Sequence, residues 1–258
     1  MQQIPGLLWV PMAVALSNIV IYVIAYLLIM ALPSLLAIFL SIFAACLIST
    51  TIVTGQGVII HRVAASVDGR SETNSEAFAA VSARIGDLIR WGSLLVAVRA
   101  IISMIERGRG LLGLVLRLFA FALSVAWSAM TFFVVPVIIF EGLGTKDAMR
   151  RSRELLRASW GEGIVGVGIL TLIFYLAIAG TFFLATLFAA AGAVVISVLL
   201  LIVALVGIAL ISSVASPVFT FVLYRFATSG QAVLGFTPQD LAAAFRTSKR
   251  FKVGSSAG

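Results

Sequence analysis

The sequence predicts an all-α, polytopic integral membrane helix bundle, with six transmembrane helices and three short amphipathic helices at one membrane face. Three observations predict it. Of the 258 residues, 62% are hydrophobic and only 11% charged, whereas soluble domains run to about half apolar and a quarter charged. Mean hydropathy is +1.17, so the chain has too little polar surface to cover itself in water. At roughly 20 apolar residues per crossing, the apolar runs accommodate about six spans and leave no length for a separate soluble enzyme domain.

The elements follow in chain order. The first apolar run covers residues 7–32 and stops at Pro33, whose ring cannot continue a helix. The second covers 34–60 and ends at His61-Arg62, and the short connection makes a tight antiparallel hairpin. Residues 65–90 are too polar to span. A third, short span covers 91–105 and carries Arg99, and Glu106-Arg107-Gly108-Arg109-Gly110 forms the turn into a fourth span at 111–140. After a polar stretch the fifth span covers 163–188, a small-residue bend follows, and the sixth covers 193–224. Residues 1–250 are expected to form one transmembrane domain, with 251–258 a flexible tail. The start, Met1-Gln2-Gln3, has no charged n-region, and no signal peptide is expected.

Positive charge orients the threading. With six spans and a cytoplasmic N-terminus, one side collects Arg62, Arg70, Arg84 and Arg90, then Lys146, Arg150, Arg151, Arg153 and Arg157. It also receives Arg225, Arg246, Lys249, Arg250 and Lys252. The other side receives Arg107, Arg109 and Arg117. Fourteen cations against three make the rich side cytoplasmic, in a prokaryotic inner membrane. Trp9, Trp91 and Trp160 then fall at the cytoplasmic interface, where amphipathic rings prefer to sit. The net charge of +8 belongs to these span ends and to anionic headgroups rather than to nucleic acid.

Each cytoplasmic segment reads as a short amphipathic helix. The first, 74–90, opens on Thr73-Asn74-Ser75-Glu76, a capping-box pattern, and places Phe78, Val81, Ile85, Leu88 and Ile89 at helical spacing. The second, 145–159, sets Ala148, Met149, Ser152, Leu155 and Leu156 on one face before Trp160-Gly161. The third, 238–250, opens on Thr237-Pro238-Gln239-Asp240 and closes on basic residues that suit a helix C-terminus. Two readings stay open: three copies of a hairpin-plus-interfacial-helix unit, or the general tendency of cytoplasmic loops to be amphipathic.

Ala126-Trp127-Ser128, Phe133 through Pro136 to Glu141, Ala148, Arg151-Ser152, Leu155-Leu156 and Trp160-Gly161 carry a resemblance. In these residues, about 120–165, the chain resembles a broad group of uncharacterised six-span prokaryotic inner-membrane proteins. It is similar to the membrane domain fused to some bacterial glycerophosphodiester phosphodiesterases. The resemblance implies fold and location only, since the group has no established activity to carry over and the phosphodiesterase catalytic domain is not expected here.

Few residues offer chemistry. Arg99 within a span costs on the order of 3 kcal/mol on insertion scales and must face protein, water or an acid, as a polar path or as a structural arginine paired with Glu106. Pro136 frees a backbone carbonyl one turn earlier, and Glu141 follows it, either to gate or bind a cation or to tie the kinked helix to Arg150, Arg151 or Arg84. Ser212, Ser216, Thr220 and Tyr224 make a polar stripe on the sixth span, lining a cavity or bonding to another helix. Gly161-Glu162-Gly163-Ile164-Val165-Gly166-Val167-Gly168 contains a GxGxxG pattern, but no strand precedes it and an apolar span follows, so it reads as close helix packing. His61 is the one histidine, with no acid or cysteine beside it in sequence, and is expected at the membrane edge. Cys46 is a lone thiol in an apolar run.

No catalytic constellation, metal site or cofactor is expected. The expected function is non-enzymatic: assembly with itself or with partner subunits of a membrane complex, and no nucleic acid. Anionic headgroups are expected to meet Arg84, Arg90, Arg150, Arg151, Arg153, Arg157, Arg246, Lys249 and Arg250. The alternative is an oligomeric channel or transporter for a small solute, using Arg99, the hydroxyl stripe and helix breaks at Pro136 and Pro217.

Overall fold

The computed structural model describes residues 6–158 and 163–230, and among them it contains helices and no strands. Six helical segments are long and apolar enough to cross a membrane, which makes the chain a multi-pass membrane protein. The chain divides into two compact units, Met1–Leu155 and Leu156–Gly258.

The first unit opens with α1 (Trp9–Ala31) and α2 (Ser34–Val67). Leu32 is extended, as a residue before proline must be, and Pro33 stands at the start of α2. α2 has 34 residues, about 51 Å of helix against a hydrocarbon core of about 30 Å. It therefore outruns the membrane and continues past His61-Arg62, where the sequence pattern placed the end of the span at residue 60. Its second half is the core of the unit: Val53, Val58, Ile59, Ile60, Val63, Ala64 and Ala65 are all buried. α1, α3, α4 and α6 all pack on α2.

α3 (Asn74–Ser82) begins with the expected capping box. The Thr73 hydroxyl accepts from the Glu76 N–H, and the Thr73 N–H donates back to the Glu76 carboxylate at 2.7 Å. This helix stops at Ser82 instead of running to 90, and α4 (Ile85–Glu106) starts after a break at Ala83-Arg84. Ile85, Leu88 and Ile89 thus belong to the third span, which gains the length its sequence lacked at 91–105. Trp91 packs inside the unit: it is 3% exposed and stacks on Trp127 with ring centroids 6.2 Å apart.

The fourth span is α5 (Gly110–Met130), a break over Thr131–Phe133, a short α6 (Val134–Pro136) and a π-helical turn, Val137–Glu141. Gly142 ends it in the left-handed conformation, φ +66. α7 (Thr145–Ala158) follows, its buried Ala148, Ser152 and Leu155 on one side and exposed Arg150, Arg153 and Glu154 on the other.

The second unit contains the hairpin of α8 (Gly163–Ala190) and α9 (Val194–Ser229). Gly192 makes the reversal at φ +81, and the Ala193 N–H caps the Phe188 carbonyl at 2.9 Å. The buried Ser197 hydroxyl crosses to the Ala185 carbonyl at 2.7 Å and holds the two helices together. Pro217 lies within α9, which continues through it. The order hairpin, then short helix, occurs twice in the described residues. The third short helix at 238–250, with Arg246, Lys249 and Arg250, the tail 251–258 and Trp160 lie outside them.

Candidate functional site

Polar side chains gather into a layer of two clusters in the first unit, with the His61–Phe140 ring stack between them. At the centre of the first cluster is Arg62, 6% exposed, at the overhanging end of α2. Its guanidinium donates to the Glu72 carbonyl at 3.1 Å and to Asn74 Oδ1 at 2.6 Å, and Asn74 Nδ2 donates to the Gly6 carbonyl at 3.0 Å. Arg62 thereby draws the α2–α3 connection and the chain before α1 onto one side chain. His61 Nδ1 lies 3.0 Å from the Glu72 carboxylate, and its ring stacks on Phe140. The chain reversal supplies an acid that lies eleven residues from His61, outside the reach of a local sequence reading.

The second half of the layer fastens the broken fourth span. The Arg84 guanidinium donates to the Gly142 carbonyl at 3.3 Å, and a Cβ at Gly142 would lie 2.5 Å from Arg84 Nη2. The Arg84 side-chain end can move aside, so it is the positive φ that calls for glycine there. Glu141 binds Arg151 at 3.0 Å, one of the tethers that its position beside a basic segment allows. The Ser152 hydroxyl accepts from the Phe133 N–H at 3.1 Å and donates to the Met130 carbonyl at 2.9 Å. It therefore bonds the two backbone groups that the break between α5 and α6 exposes. The Thr145 hydroxyl donates to the Asp87 carbonyl at 3.1 Å, and Asp87 pairs with Arg90 at 3.2 Å. Pro136 is buried in the first turn after the break.

Arg84, Arg90 and Arg151 are thus drawn together in this layer, and Arg150 pairs with Asp147 at 3.1 Å. Arg153 and Arg157 are exposed on α7. On α3, the Thr73 backbone N–H and then its hydroxyl hold the Glu76 carboxyl below the usual carboxylate range. Among the described residues no three His, Cys, Asp or Glu side chains meet in a group fit for a metal ion.

Hollows open between the helices of the unit, two of them among the described residues of α1 to α4. A cavity of about 610 Å³ sits among α1, α2 and α3, with Val14, Val58 and Phe78 in its wall and Asn74 and Ser75 at its rim. Thr54 lines it, is 7% exposed, and its hydroxyl has no hydrogen-bond partner, a condition that costs about 1–3 kcal/mol for a buried polar group. A shallower groove of about 440 Å³ between α2 and α4 is lined by Ala45, Ser49, Leu95, Val96, Arg99, Ala100 and Ser103. The Arg99 side chain is 67% exposed and reaches Glu106 at 3.4 Å, while Arg117 donates to the Glu106 carbonyl. The hydroxyl stripe in the second unit is less open to other groups. Ser212 and Thr220 donate to carbonyls of their own helix, Ser216 is exposed and Tyr224 buried.

A sequence profile, that of a family of unknown function (DUF6159), matches residues 35–235, most of the chain. The chain belongs to that family. The matched stretch runs from the start of α2 to just beyond α9 and so includes Arg62, Arg99, Glu141 and Ser152. α1, one wall of the larger cavity, lies before it. No curated protein and no solved structure matches the chain.

Arg62, Glu72, Ser152 and Thr54 are the residues that sequence reasoning did not single out as site members. For Arg62 a signal existed, a cation directly after an apolar run, but counting it among the orienting charges concealed that it is buried.

Proposed function

We propose that this is a non-enzymatic multi-pass protein of the prokaryotic cytoplasmic membrane that acts by assembly, with itself or with partner subunits. Both termini lie in the cytoplasm, and the basic, amphipathic helices rest on anionic headgroups. The observation that carries the reading is Arg99. Its side chain is 67% exposed on a membrane-spanning helix, beside a groove whose other walls include Ala45, Ser49, Ala100 and Ser103. A charge facing hydrocarbon costs about 2.5–3.5 kcal/mol on insertion scales, and the Glu106 pairing offsets part of that from one side. A neighbouring helix in this groove, where small residues alternate with Leu95 and Val96, would exclude lipid from the other side and pack against the alanines and serines.

The headgroup contacts draw on the exposed cations Arg90, Arg150, Arg153 and Arg157, each worth about 1 kcal/mol near an anionic surface. The alternative, a small-solute pore built by an oligomer, uses the same groove. Arg99→Leu in reconstituted vesicles separates them: loss of assembly supports packing, whereas intact assembly with lost solute flux supports conduction and overturns the first reading.

A further inference from the structure

The turn between α4 and α5 carries positive charge that the surrounding chain does not neutralise. Its one acid is Glu106, the last residue of α4, and the Glu106 carboxylate is taken by Arg99 at 3.4 Å. Arg117 reaches only the Glu106 carbonyl, to which its Nε donates at 3.4 Å. Arg107 and Arg109 follow Glu106 on the turn itself. Among the described residues no acid pairs with Arg107, Arg109 or Arg117, and all three are exposed. The next acid along α4 is Asp87 in its first turn, about 28 Å of helix away, and α5 contains none.

The surroundings of Arg117 decide which anion reaches it. It lies about 10 Å into α5, the helix that begins the fourth membrane span. Leu114, one turn before it, and Phe121, one turn after it, are exposed on the same side, so that face meets acyl chains. Helix side chains lean toward the N-terminus. Arg117 follows that lean, and its bond to the Glu106 carbonyl lifts the guanidinium to the end of the span while its stem stays among the tails. The anion found at that level and joined to acyl chains is the phosphodiester of a lipid headgroup. Its two free oxygens match the planar guanidinium fork. The first turn of α5 adds backbone donors at the same place, since its N-cap, Arg109, makes no side-chain cap bond.

We propose that the turn between α4 and α5 binds the phosphodiester of a membrane glycerophospholipid, through the guanidinium of Arg117 with Arg107 and Arg109 beside it. The site is independent of assembly, because Arg117 is not among the residues that line the groove between α2 and α4.

The test is hydrogen exchange of the full chain in two kinds of nanodisc, one of diacyl phosphatidylglycerol and one of a dihexosyl diacylglycerol with the same acyl chains, which is uncharged and has no phosphate. In wild type the amides of residues 107–112 should exchange about tenfold to a hundredfold more slowly in the phosphatidylglycerol discs, the range one hydrogen bond to a charged group supplies. Arg117→Gln should keep the wild-type unfolding temperature in the phosphate-free discs and lose most of that difference. The proposal is overturned by any of four results. One is equal exchange of wild type in the two lipids. A second is a difference that survives Arg117→Gln, which a general effect of the anionic surface would give. A third is equal slowing by soluble glycerol phosphate added to the phosphate-free discs, which would make the ligand a free anion. The fourth is early unfolding of Arg117→Gln in the phosphate-free discs, where the arginine would be holding the turn rather than a lipid.

Discussion

Removing the Ser152 hydroxyl should undo the fastening of the fourth span. Ser152 is wholly buried and makes two bonds to backbone, accepting from the Phe133 N–H at 3.1 Å and donating to the Met130 carbonyl at 2.9 Å. Each is a long-range contact between α7 and the break after α5. Ser152→Ala keeps the helix and removes both bonds, so two backbone groups lose a partner at about 1–2 kcal/mol each. The expected loss is about 2–4 kcal/mol. Thermal unfolding in nanodiscs should fall by roughly 4–16 °C at about 2–4 °C per kcal/mol. Hydrogen exchange at the Phe133 amide should rise between roughly thirtyfold and several-hundredfold, at tenfold per 1.4 kcal/mol. Ser152→Thr, which keeps the hydroxyl, should recover part of the exchange protection. An unfolding temperature within about 1 °C of wild type, with Phe133 still protected in Ser152→Ala, would refute the claim that this hydroxyl holds the break.

Gly92→Ala should destabilise the first unit by about 1–3 kcal/mol, read by thermal unfolding, because the new Cβ would meet the Thr50 backbone nitrogen at 3.0 Å and its Cα at 3.1 Å. Helix backbone cannot step aside as a side-chain end can, so α2 and α4 must separate. The Thr73–Glu76 box should show a pH dependence of one sign. The Glu76 carboxyl is lowered from its ordinary 4.5, so its contribution is complete above that value and lost as pH falls through the depressed one. Hydrogen exchange at the first turn of α3 should quicken, relative to Glu76→Gln, only as the solution is acidified below 4.5.

Much of this architecture is legible from apolar runs and caps. Leu32-Pro33 ends one helix and begins another for reasons local to the dipeptide, and Thr73 with Glu76 closes a box that four residues specify. The Glu141 tether to Arg151 is also local, since one acid precedes a run of arginines. What escapes a sequence reading is set by residues far apart. Ile85, Leu88 and Ile89 continue the helical periodicity of α3, so nothing local announces the break at Arg84, whose guanidinium meets Gly142 fifty-eight residues away. Trp91 matches an interfacial ring by position, yet the side it faces is decided by Trp127. His61 lacks an acidic neighbour in sequence and gains Glu72 only because α2 overruns the membrane and the chain doubles back. Thr54 resembles the threonines around it in sequence, yet its hydroxyl lacks the backbone bond that Thr50 and Thr51 make.

If the chain acts by assembly, native mass spectrometry after gentle nanodisc extraction from its own membrane should give a fixed multiple of the 27.3 kDa chain, or a constant ratio to partner polypeptides, and Arg99→Leu should abolish it. A wild-type species at 27.3 kDa plus lipid, with no other polypeptide, would contradict it.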